Sequence, residues 1–290
     1  MLANKIQQLM IFFSLLIPDM TNEEEQLLDE ALIKTYADYG ITHDNESVYE
    51  DGTASPPKMK QMPILGDLHK HLLENKMTER IAVIVSRFVT GSAQSFNRQT
   101  NVDLSNKYIV FDLSELKGKL LPVGMMIALD YIWDSVKKDL TKQKAVMIDE
   151  IWKLVGTSSN KQAAEFCLTI FKTIRGFGGA AVSATQDLSD FFGLEDGKYG
   201  RAIINNSKNK IILNLEPDEA KYVQDVLKLT KTEIQSITRF ERGEALIYSN
   251  NNKVPVLVKA SKVEHEMITT DRAELEAILR ERQKEQTHSE

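Results

Sequence analysis

The sequence predicts an α/β fold with a largely parallel central sheet, preceded by an all-helical block. Three observations support this prediction. Before about residue 96, apolar residues recur at helical spacing. After it, short apolar runs alternate with helical patterns, as in βαβ units. One of these runs, Ala145 to Ile148, is continuously apolar, which is typical of a strand buried on both faces.

Composition limits the classes of function. The 290 residues are 42% hydrophobic and 27% charged, as in ordinary globular proteins. A formal net charge of -6 gives no support to nucleic-acid binding driven by overall charge, although a local basic patch stays compatible with it. The single cysteine, Cys167, excludes an intrachain disulfide and a cysteine-based metal cluster, and this fits a reducing cytoplasm. Its apolar helical neighbours indicate core packing.

The first segment, Met1 to Ile17, has two interpretations. A lysine followed by an apolar run is typical of a targeting peptide. The run from Leu9 to Ile17 is far shorter than the roughly 20 residues of a membrane-spanning helix, and Pro18 follows it directly. We therefore expect a buried core helix here, with a targeting segment as the alternative.

Residues 1–95 are predicted to form a helical subdomain. Thr21 and Glu24 match a capping box, which marks a helix start. A polar stretch over residues 42–62 lacks an apolar period and predicts a mobile loop. Two further helices follow, one from Pro63 and one ending near Gly91.

Residues 96–262 are predicted to form the α/β core, and residues 263–290 a charged C-terminal helix or tail. Two helices are expected, Leu120 to Leu140 and Lys161 to Ile174. The expected strands are Val102–Leu104, Tyr108–Leu113, Ala145–Ile148, Ala180–Ala184 and Lys210–Leu215, followed by a hairpin of Glu244–Tyr248 and Val254–Val258.

Two acidic residues, Asp149 and Glu150, follow the buried strand directly. Ligands of open α/β sheets bind at the carboxyl edge of the strands, where these side chains are expected. In nucleotide hydrolases the first acid of such a pair holds Mg²⁺ through its water shell, and the next can act as a general base. The simpler alternative is a strand that meets solvent at two acids.

The next strand ends at Thr185 and Gln186, which places an amide side chain at the neighbouring strand end. Such an amide can hydrogen-bond a γ-phosphate or the attacking water. Arg175 lies before the same strand, beside a glycine-rich turn, and could stabilise transition-state charge on the nucleotide of a neighbouring subunit. The alternative for Arg175 is a cation that faces the end of a helix dipole.

The order of these segments resembles the ATPase domain of conjugation and type IV secretion energisers (the VirB/TraC/TraE kind), within the FtsK–HerA group. The resemblance runs from about residue 5 to residue 260. The matching stretches are Phe96-Asn97, Thr100-Asn101-Val102, Val110-Phe111-Asp112-Leu113-Ser114, Met147-Ile148-Asp149-Glu150-Ile151-Trp152, Arg175-Gly176-Phe177-Gly178-Gly179, Thr185-Gln186-Asp187-Leu188 and Ala202-Ile203-Ile204-Asn205-Asn206-Ser207.

The resemblance implies a RecA-like P-loop NTPase core, with ATP and Mg²⁺ as cofactors. It makes Asp149 and Glu150 the Walker B pair, with Asp149 toward the metal and Glu150 as the base. It also makes Gln186 the sensor glutamine, Thr185 part of the nucleotide site and Arg175 the finger. The helical block corresponds to the insertion between the two Walker motifs, and Trp152 is expected to pack rather than to stack on a ligand.

The sequence departs from the family at the phosphate-binding loop. No G-x-x-x-x-G-K-[ST] pattern occurs in these residues. The nearest approach, Gly193 to Tyr199, has three residues between its glycines and ends in tyrosine, so it is interpreted as an exposed loop. Tight ATP binding and turnover by these residues alone are therefore not expected, and whether the chain acts as an enzyme is left open.

The resemblance implies a part in an ATPase that energises conjugative DNA transfer through a type IV secretion system. The expected partners are other subunits of that machine and, in a homo-oligomer, further copies forming a hexamer. The expected location is the cytoplasm, at the inner membrane face through those partners. The alternatives are a non-catalytic interaction subunit or truncated fragment of the machine, and a DNA-translocating motor of the same group. DNA binding is compatible with each.

Overall fold

The computed structural model describes residues 2–50, 55, 57–102, 106–157, 159–250 and 252–287, with side chains as far as residue 280. The chain forms two compact units, Met1–Asn206 and Ser207–Glu290. Each unit contains a sheet, and the mixture of helices with a parallel strand pair confirms the α/β class. The predicted regions 1–95, 96–262 and 263–290 were defined from sequence patterns, whereas the two units are defined by their internal contacts. The predicted regions therefore stay predictions.

The helical block of the first unit contains α1 (Leu2–Leu16), α2 (Asn22–Ala37), α3 (Leu65–Leu73) and α4 (Glu79–Val89). Their apolar faces share one cluster, whose members Phe13, Leu28, Leu72 and Ile81 are 0% exposed. Helix α1 contributes four buried residues to this cluster, so its interpretation as a core helix is confirmed. Among the described residues, no helix is both long and apolar enough to cross a bilayer.

Helix α2 begins at the predicted capping box. The backbone N–H of Glu24 donates to Thr21 Oγ1 at 3.2 Å, and the N–H of Thr21 donates to Glu24 Oε2 at 2.9 Å. Arg80 of α4 donates to the same carboxylate at 2.9 Å, which ties two helices of the block together. The Thr21 backbone hydrogen bond, followed by Arg80, lowers the pKa of Glu24 below its usual value.

The segment predicted to be a mobile loop contains a 3₁₀ turn, Asn45–Val48, and an isolated antiparallel bridge between Tyr49 and Met59. Val48 is 3% exposed and belongs to the apolar cluster of the helical block. Residues 51–54 and 56 lie outside the described residues, and the mobility of the loop stays a prediction.

The α/β part of the first unit is built around two strands. These are β1 (Lys144–Ile148) and β2 (Gly179–Ser183), which pair in parallel with Lys144 opposite Gly179 and Ile148 opposite Ser183. The helices around them are α5 (Leu120–Lys138), α6 (Trp152–Val155), α7 (Lys161–Thr173), α8 (Leu188–Phe191) and α9 (Lys198–Asn206).

One face of this strand pair is covered and the other is bare. Val146 and Ile148 are 6% and 9% exposed, whereas Met147 and Val182 are 75% and 49% exposed. The prediction that β1 is buried on both faces is therefore wrong for the described residues. An apolar run fits burial on two faces, but the described helices supply a cover for only one.

The strand predicted from Tyr108 to Leu113 is also wrong, because these residues form no strand. Tyr108 is 84% exposed and Val110 is 69% exposed. A strand needs a neighbouring strand to pair its backbone groups, and the described residues place none beside this segment. The strand predicted at Val102–Leu104 lies in part outside the described residues.

The second unit has a three-stranded antiparallel sheet with the order β3-β4-β5. Its strands are β3 (Asn209–Ile212), β4 (Glu244–Ser249) and β5 (Asn252–Leu257), and its helices are α10 (Pro217–Leu227), α11 (Lys231–Ile237), α12 (Lys262–Ile268) and α13 (Arg272–Thr287). The predicted hairpin is confirmed. Asn250, which follows β4, has a φ of 48°, the left-handed backbone that tight hairpin turns use.

Replacing Glu24 with Gln is expected to lower the free energy of unfolding at neutral pH by up to about 1 kcal/mol, because the amide can still accept the Thr21 N–H but no longer carries the charge that pairs with Arg80. The pKa of Glu24 is lowered in the folded chain, so its stabilisation is present above the ordinary value of 4.5 and is lost as the pH falls through the lower folded value. The variant should therefore lose less stability on acidification. Urea unfolding at neutral and acidic pH measures both effects.

The matched control for this variant is Glu23→Gln, which alters an exposed side chain in the same helical turn. It should change the stability by only a few tenths of a kcal/mol, the size of a screened helix-dipole effect. Equal losses in the two variants would show that Glu24 contributes only as one charge among several.

Candidate active site

The candidate site lies where β1 and β2 end. Past the last paired residues, two backbone hydrogen bonds continue the ladder. The N–H of Ala184 donates to the carbonyl of Ile148 at 3.0 Å, and the N–H of Ile151 donates to the carbonyl of Ala184 at 3.2 Å. The residues that follow the two strands are therefore held side by side.

A sharp turn after β1 sets the direction of Glu150. Its φ is 52°, in the left-handed region that non-glycine residues seldom occupy. The N–H of Glu150 donates to Asp149 Oδ1 at 2.9 Å, and Ile151 is 0% exposed in the core directly after it. The buried Ile151 anchors the turn, so the carboxylate of Glu150 is turned toward the end of β2.

The Glu150 carboxylate accepts two side-chain hydrogen bonds. Gln186 Nε2 donates to Glu150 Oε1 at 2.6 Å, across the two strand ends. The indole Nε1 of Trp152 donates to Glu150 Oε2. The predicted base and the predicted sensor are thus in direct contact, and Trp152 is a partner that the sequence did not predict.

The other two predicted residues of this edge lie beside that contact. The side chain of Asp149 is exposed at the end of β1. Thr185 is half-buried, and its Oγ1 donates to the carbonyl of Asp187 at 3.3 Å. Asp187 in turn caps α8, because its Oδ1 accepts the N–H of Asp190 at 2.8 Å. The structure therefore places Asp149, Glu150, Thr185 and Gln186 at one edge.

A family model described as the TraG P-loop domain matches residues 76–288, which is more than half of the chain. The chain belongs to the TraG P-loop domain family.

Two curated proteins are similar to parts of this chain. The DNA double-strand break repair helicase HerA of Sulfurisphaera tokodaii is 26% identical over 174 residues, 57% of this chain and 34% of that protein. Protein TraC of Escherichia coli (strain K12) is 28% identical over 158 residues, 52% of this chain and 18% of that protein. The match thus spans about a third of HerA and about a fifth of TraC.

Solved structures confirm the RecA-like P-loop NTPase fold. VirB4 of Thermoanaerobacter pseudethanolicus has a TM-score of 0.80 at 25% identity, over 90% of this chain and 70% of that one. The plasmid coupling protein TrwB in complex with ADP and Mg²⁺ has a TM-score of 0.52 at 14% identity, over 89% and 68% of the two chains. The predicted resemblance to the conjugation and type IV secretion ATPases of the FtsK–HerA group is confirmed.

Arg175 lies at the opposite end of β2 from the other predicted site residues. It is exposed in the 3₁₀ turn Ile174–Phe177, which precedes the strand. A five-residue strand spans about 16 Å, so Arg175 does not reach the carboxylates of its own chain. Gly178, with a φ of 71°, closes the turn, and its carbonyl accepts the N–H of Lys144 at 3.2 Å. The predicted glycine-rich turn therefore positions the start of β2.

Lys144 fastens this opposite end of the strands. Its ammonium donates to the carbonyls of Val136 at 2.8 Å and Phe177 at 3.1 Å, and also to that of Asp139. One side chain thereby joins the end of α5 to the segment that enters β2. The sequence shows a lysine there but does not indicate these partners.

The described residues contain no cluster of three or more His, Cys, Asp or Glu side chains that could hold a metal by themselves. Mg²⁺ keeps several waters and is usually held by one or two carboxylates together with phosphate oxygens. The exposed Asp149 beside Glu150 fits that pattern. Cys167 is outside the site, and burial raises the pKa of its thiol to about 12, in agreement with core packing.

Helices α6 and α8 approach closely behind the site. A Cβ atom on Gly156 would lie 2.5 Å from the carbonyl of Asp190 and 2.7 Å from that of Trp152. The N–H of Thr157 donates to Asp190 Oδ1 at 3.0 Å in the same place. The absence of a side chain at Gly156 therefore lets the backbone after β1 pack against the backbone after β2.

Replacing Gly156 with Ala is expected to lower the free energy of unfolding by about 1–3 kcal/mol, because the new methyl group overlaps two backbone carbonyls. Urea unfolding followed by circular dichroism measures the loss. Gly176→Ala is the matched control, since a Cβ there meets nothing within 4 Å, and it should stay within about 0.5 kcal/mol of wild type. A Gly156→Ala variant as stable as this control would contradict the close approach.

Proposed function

We propose that this chain carries the Walker B half of an ATPase that energises conjugative DNA transfer through a type IV secretion system. The observation that carries the proposal is the assembly of Asp149, Glu150, Thr185 and Gln186 at the carboxyl edge of one parallel strand pair. Ligands of open α/β sheets bind at this edge. Membership of the TraG P-loop domain family supports the same function.

The chemistry follows from the types of side chain. A bound nucleotide with Mg²⁺ supplies the phosphoanhydride bond and a cation that offsets its charge. Asp149 would hold the cation, and Glu150 would take a proton from the attacking water. The amide of Gln186 leaves Glu150 to donate to a phosphate oxygen or to orient that water, and Thr185 adds a hydroxyl to the nucleotide site. The solved complex of TrwB with ADP and Mg²⁺ supports these cofactors.

The phosphate-binding loop is proposed to come from a polypeptide segment outside these 290 residues. The segment from Gly193 to Tyr199 does not serve, because Glu195 and Asp196 project negative charge from a kinked turn, with φ of 46° and 54°. Lys198 there pairs with Glu195 at 3.3 Å. A phosphate site needs converging N–H groups and a free cation instead.

The exposed face of the strand pair is evidence for an additional segment that would cover it. Met147 and Val182 expose apolar side chains on this face, and Ala145 and Ala180 are exposed as well. Parallel sheets are normally covered on both faces, and two strands alone are marginally stable. The match to 70% of the solved VirB4 chain leaves room in that fold for further elements.

The complete enzyme is proposed to be a hexamer in which Arg175 serves the nucleotide of a neighbouring subunit. The position of Arg175 at the far end of β2 supports a role outside its own site. The proposed partners are other subunits of the secretion machine, which would hold the protein at the cytoplasmic face of the membrane.

A non-catalytic interaction subunit is the second candidate function. The exposed apolar side chain of Met147 favours it, because exposed apolar surface can form part of a docking site. A DNA-translocating motor of the same group is a third candidate, supported by the similarity to HerA.

ATP turnover by the purified chain is expected only when it is mixed with a segment carrying a phosphate-binding loop, and to be lost with Glu150→Gln. The amide that replaces Glu150 cannot take a proton from water, and general-base loss typically costs about 10²–10⁴-fold in rate. Glu115→Gln, an exposed change outside the site, is the control and should turn over ATP normally. A folded chain that stays inactive in every mixture would favour the interaction subunit.

Mixing two inactive variants tests the proposed role of Arg175. Arg175→Ala and Glu150→Gln should each be inactive in an assembly of identical copies. A mixed assembly should recover part of the activity, because some sites then combine an intact Glu150 with an intact Arg175 from the neighbour. Steady-state ATP turnover against mixing ratio measures this recovery. A mixture as inactive as its components would contradict a finger acting between subunits.

A further inference from the structure

The two oxygens of the Glu150 carboxylate each accept one side-chain hydrogen bond. Gln186 donates to Oε1 and Trp152 donates to Oε2. The proposed function gives Gln186 a role but leaves Trp152 without one. Trp152 is half-buried at the start of α6, two residues after Glu150, so its indole faces the carboxylate from the same chain segment.

The two donors differ in their freedom to leave. Gln186 is exposed and has three side-chain torsions, so its amide can turn toward another acceptor. Trp152 has two torsions, and its indole N–H donates without accepting. The indole therefore cannot take the proton that the carboxylate must take from water. The indole keeps its hydrogen bond to Oε2. When Gln186 turns away, Oε1 becomes available to take the proton.

The Lys153 ammonium covers one face of the indole ring. It lies 3.5 Å from the centroid of the Trp152 ring. A cation over the face of an indole is attracted by the ring quadrupole. It also polarises the ring, and polarised groups in a connected chain strengthen one another's hydrogen bonds. The Lys153 ammonium thus contacts the face of the indole, and the N–H at the edge of the same ring contacts the Glu150 carboxylate.

The backbone conformation of Glu150 makes a contact that fixes its side chain important. Glu150 has a φ of 52°, and residues in this region persist only where the surrounding contacts determine them. The contact with Trp152 fixes the side chain of a residue whose backbone is itself held in a sparsely populated conformation. Without it, the direction of the carboxylate depends on Gln186 alone.

We propose that Trp152, with the Lys153 ammonium stacked on its ring, is a positioning residue that holds the Glu150 carboxylate in the direction in which it takes a proton from water. This inference rests on the proposed function, because it needs Glu150 to be the base. The contact itself can be measured without turnover.

The first test uses the indole N–H resonances of the ¹⁵N-labelled chain, which has two tryptophans. Trp152→Phe assigns one resonance to Trp152. Glu150→Ala should move that resonance upfield, because a charged acceptor is lost, while the Trp133 resonance stays in place as an internal control. Lys153→Met should move it as well, and Lys153→Arg should restore it. A Trp152 resonance whose chemical shift is unchanged by Glu150→Ala would overturn the inference.

The second test uses the mixture that turns over ATP. Trp152→Phe keeps the stacked ring but removes the N–H, so kcat should fall by about 10- to 100-fold, the effect of one hydrogen bond to a charged group. The KM for ATP should change little, because the indole holds the base and not the nucleotide. An unchanged kcat would overturn the inference, as would equal changes in kcat and KM.

The two tests separate the inference from the proposed function. If no mixture turns over ATP, the proposed function fails, and the indole resonance alone decides whether Trp152 holds Glu150. If Trp152→Phe does not fold, both the indole resonance and kcat are measured on Lys153→Met and Lys153→Arg instead. A kcat that falls with Lys153→Met and recovers with Lys153→Arg then supports the inference, and a kcat unaffected by either opposes it.

Discussion

The parallel pairing of β1 and β2 is the constraint on which the site depends. Two hydrogen bonds beyond the paired residues, through Ile148 and Ala184, bring two distant chain segments to the same edge. The contact between Glu150 and Gln186 follows, since their backbones are already neighbours. Lys144 and Gly178 fasten the opposite ends of the same strands, so the pair is held at both ends.

The sequence predicted those parts of the fold that depend on local pattern. Helix α2 was predicted from its capping box, and β1 and β2 from short apolar runs, because these signals lie in neighbouring residues. Asp149, Glu150 and Gln186 were predicted at one edge because the carboxyl ends of parallel strands always share an edge. That inference needs only the direction of the strands and no knowledge of side-chain contacts.

The parts that failed depend on what surrounds a segment. Tyr108 to Leu113 has the composition of a strand, but composition cannot show whether a neighbouring strand exists to pair with it. Met147 is apolar like its neighbours, and its exposure depends on which face the helices cover. The indole of Trp152 contacts Glu150 across a turn in which Glu150 has a left-handed backbone, a conformation for which a glutamate in the sequence gives no signal.

Arg175 and Glu150 lie at opposite ends of the β1–β2 strand pair, so the two ends of a subunit carry different reactive groups. If the two groups act in one reaction, a copy must present its carboxyl edge to one neighbour and the start of β2 to another. Such a contact joins two different surfaces, so the assembly is head-to-tail and never face-to-face. A closed ring built in this way has as many reaction sites as subunits, so a copy that lacks one end breaks one site and a copy that lacks both ends breaks two.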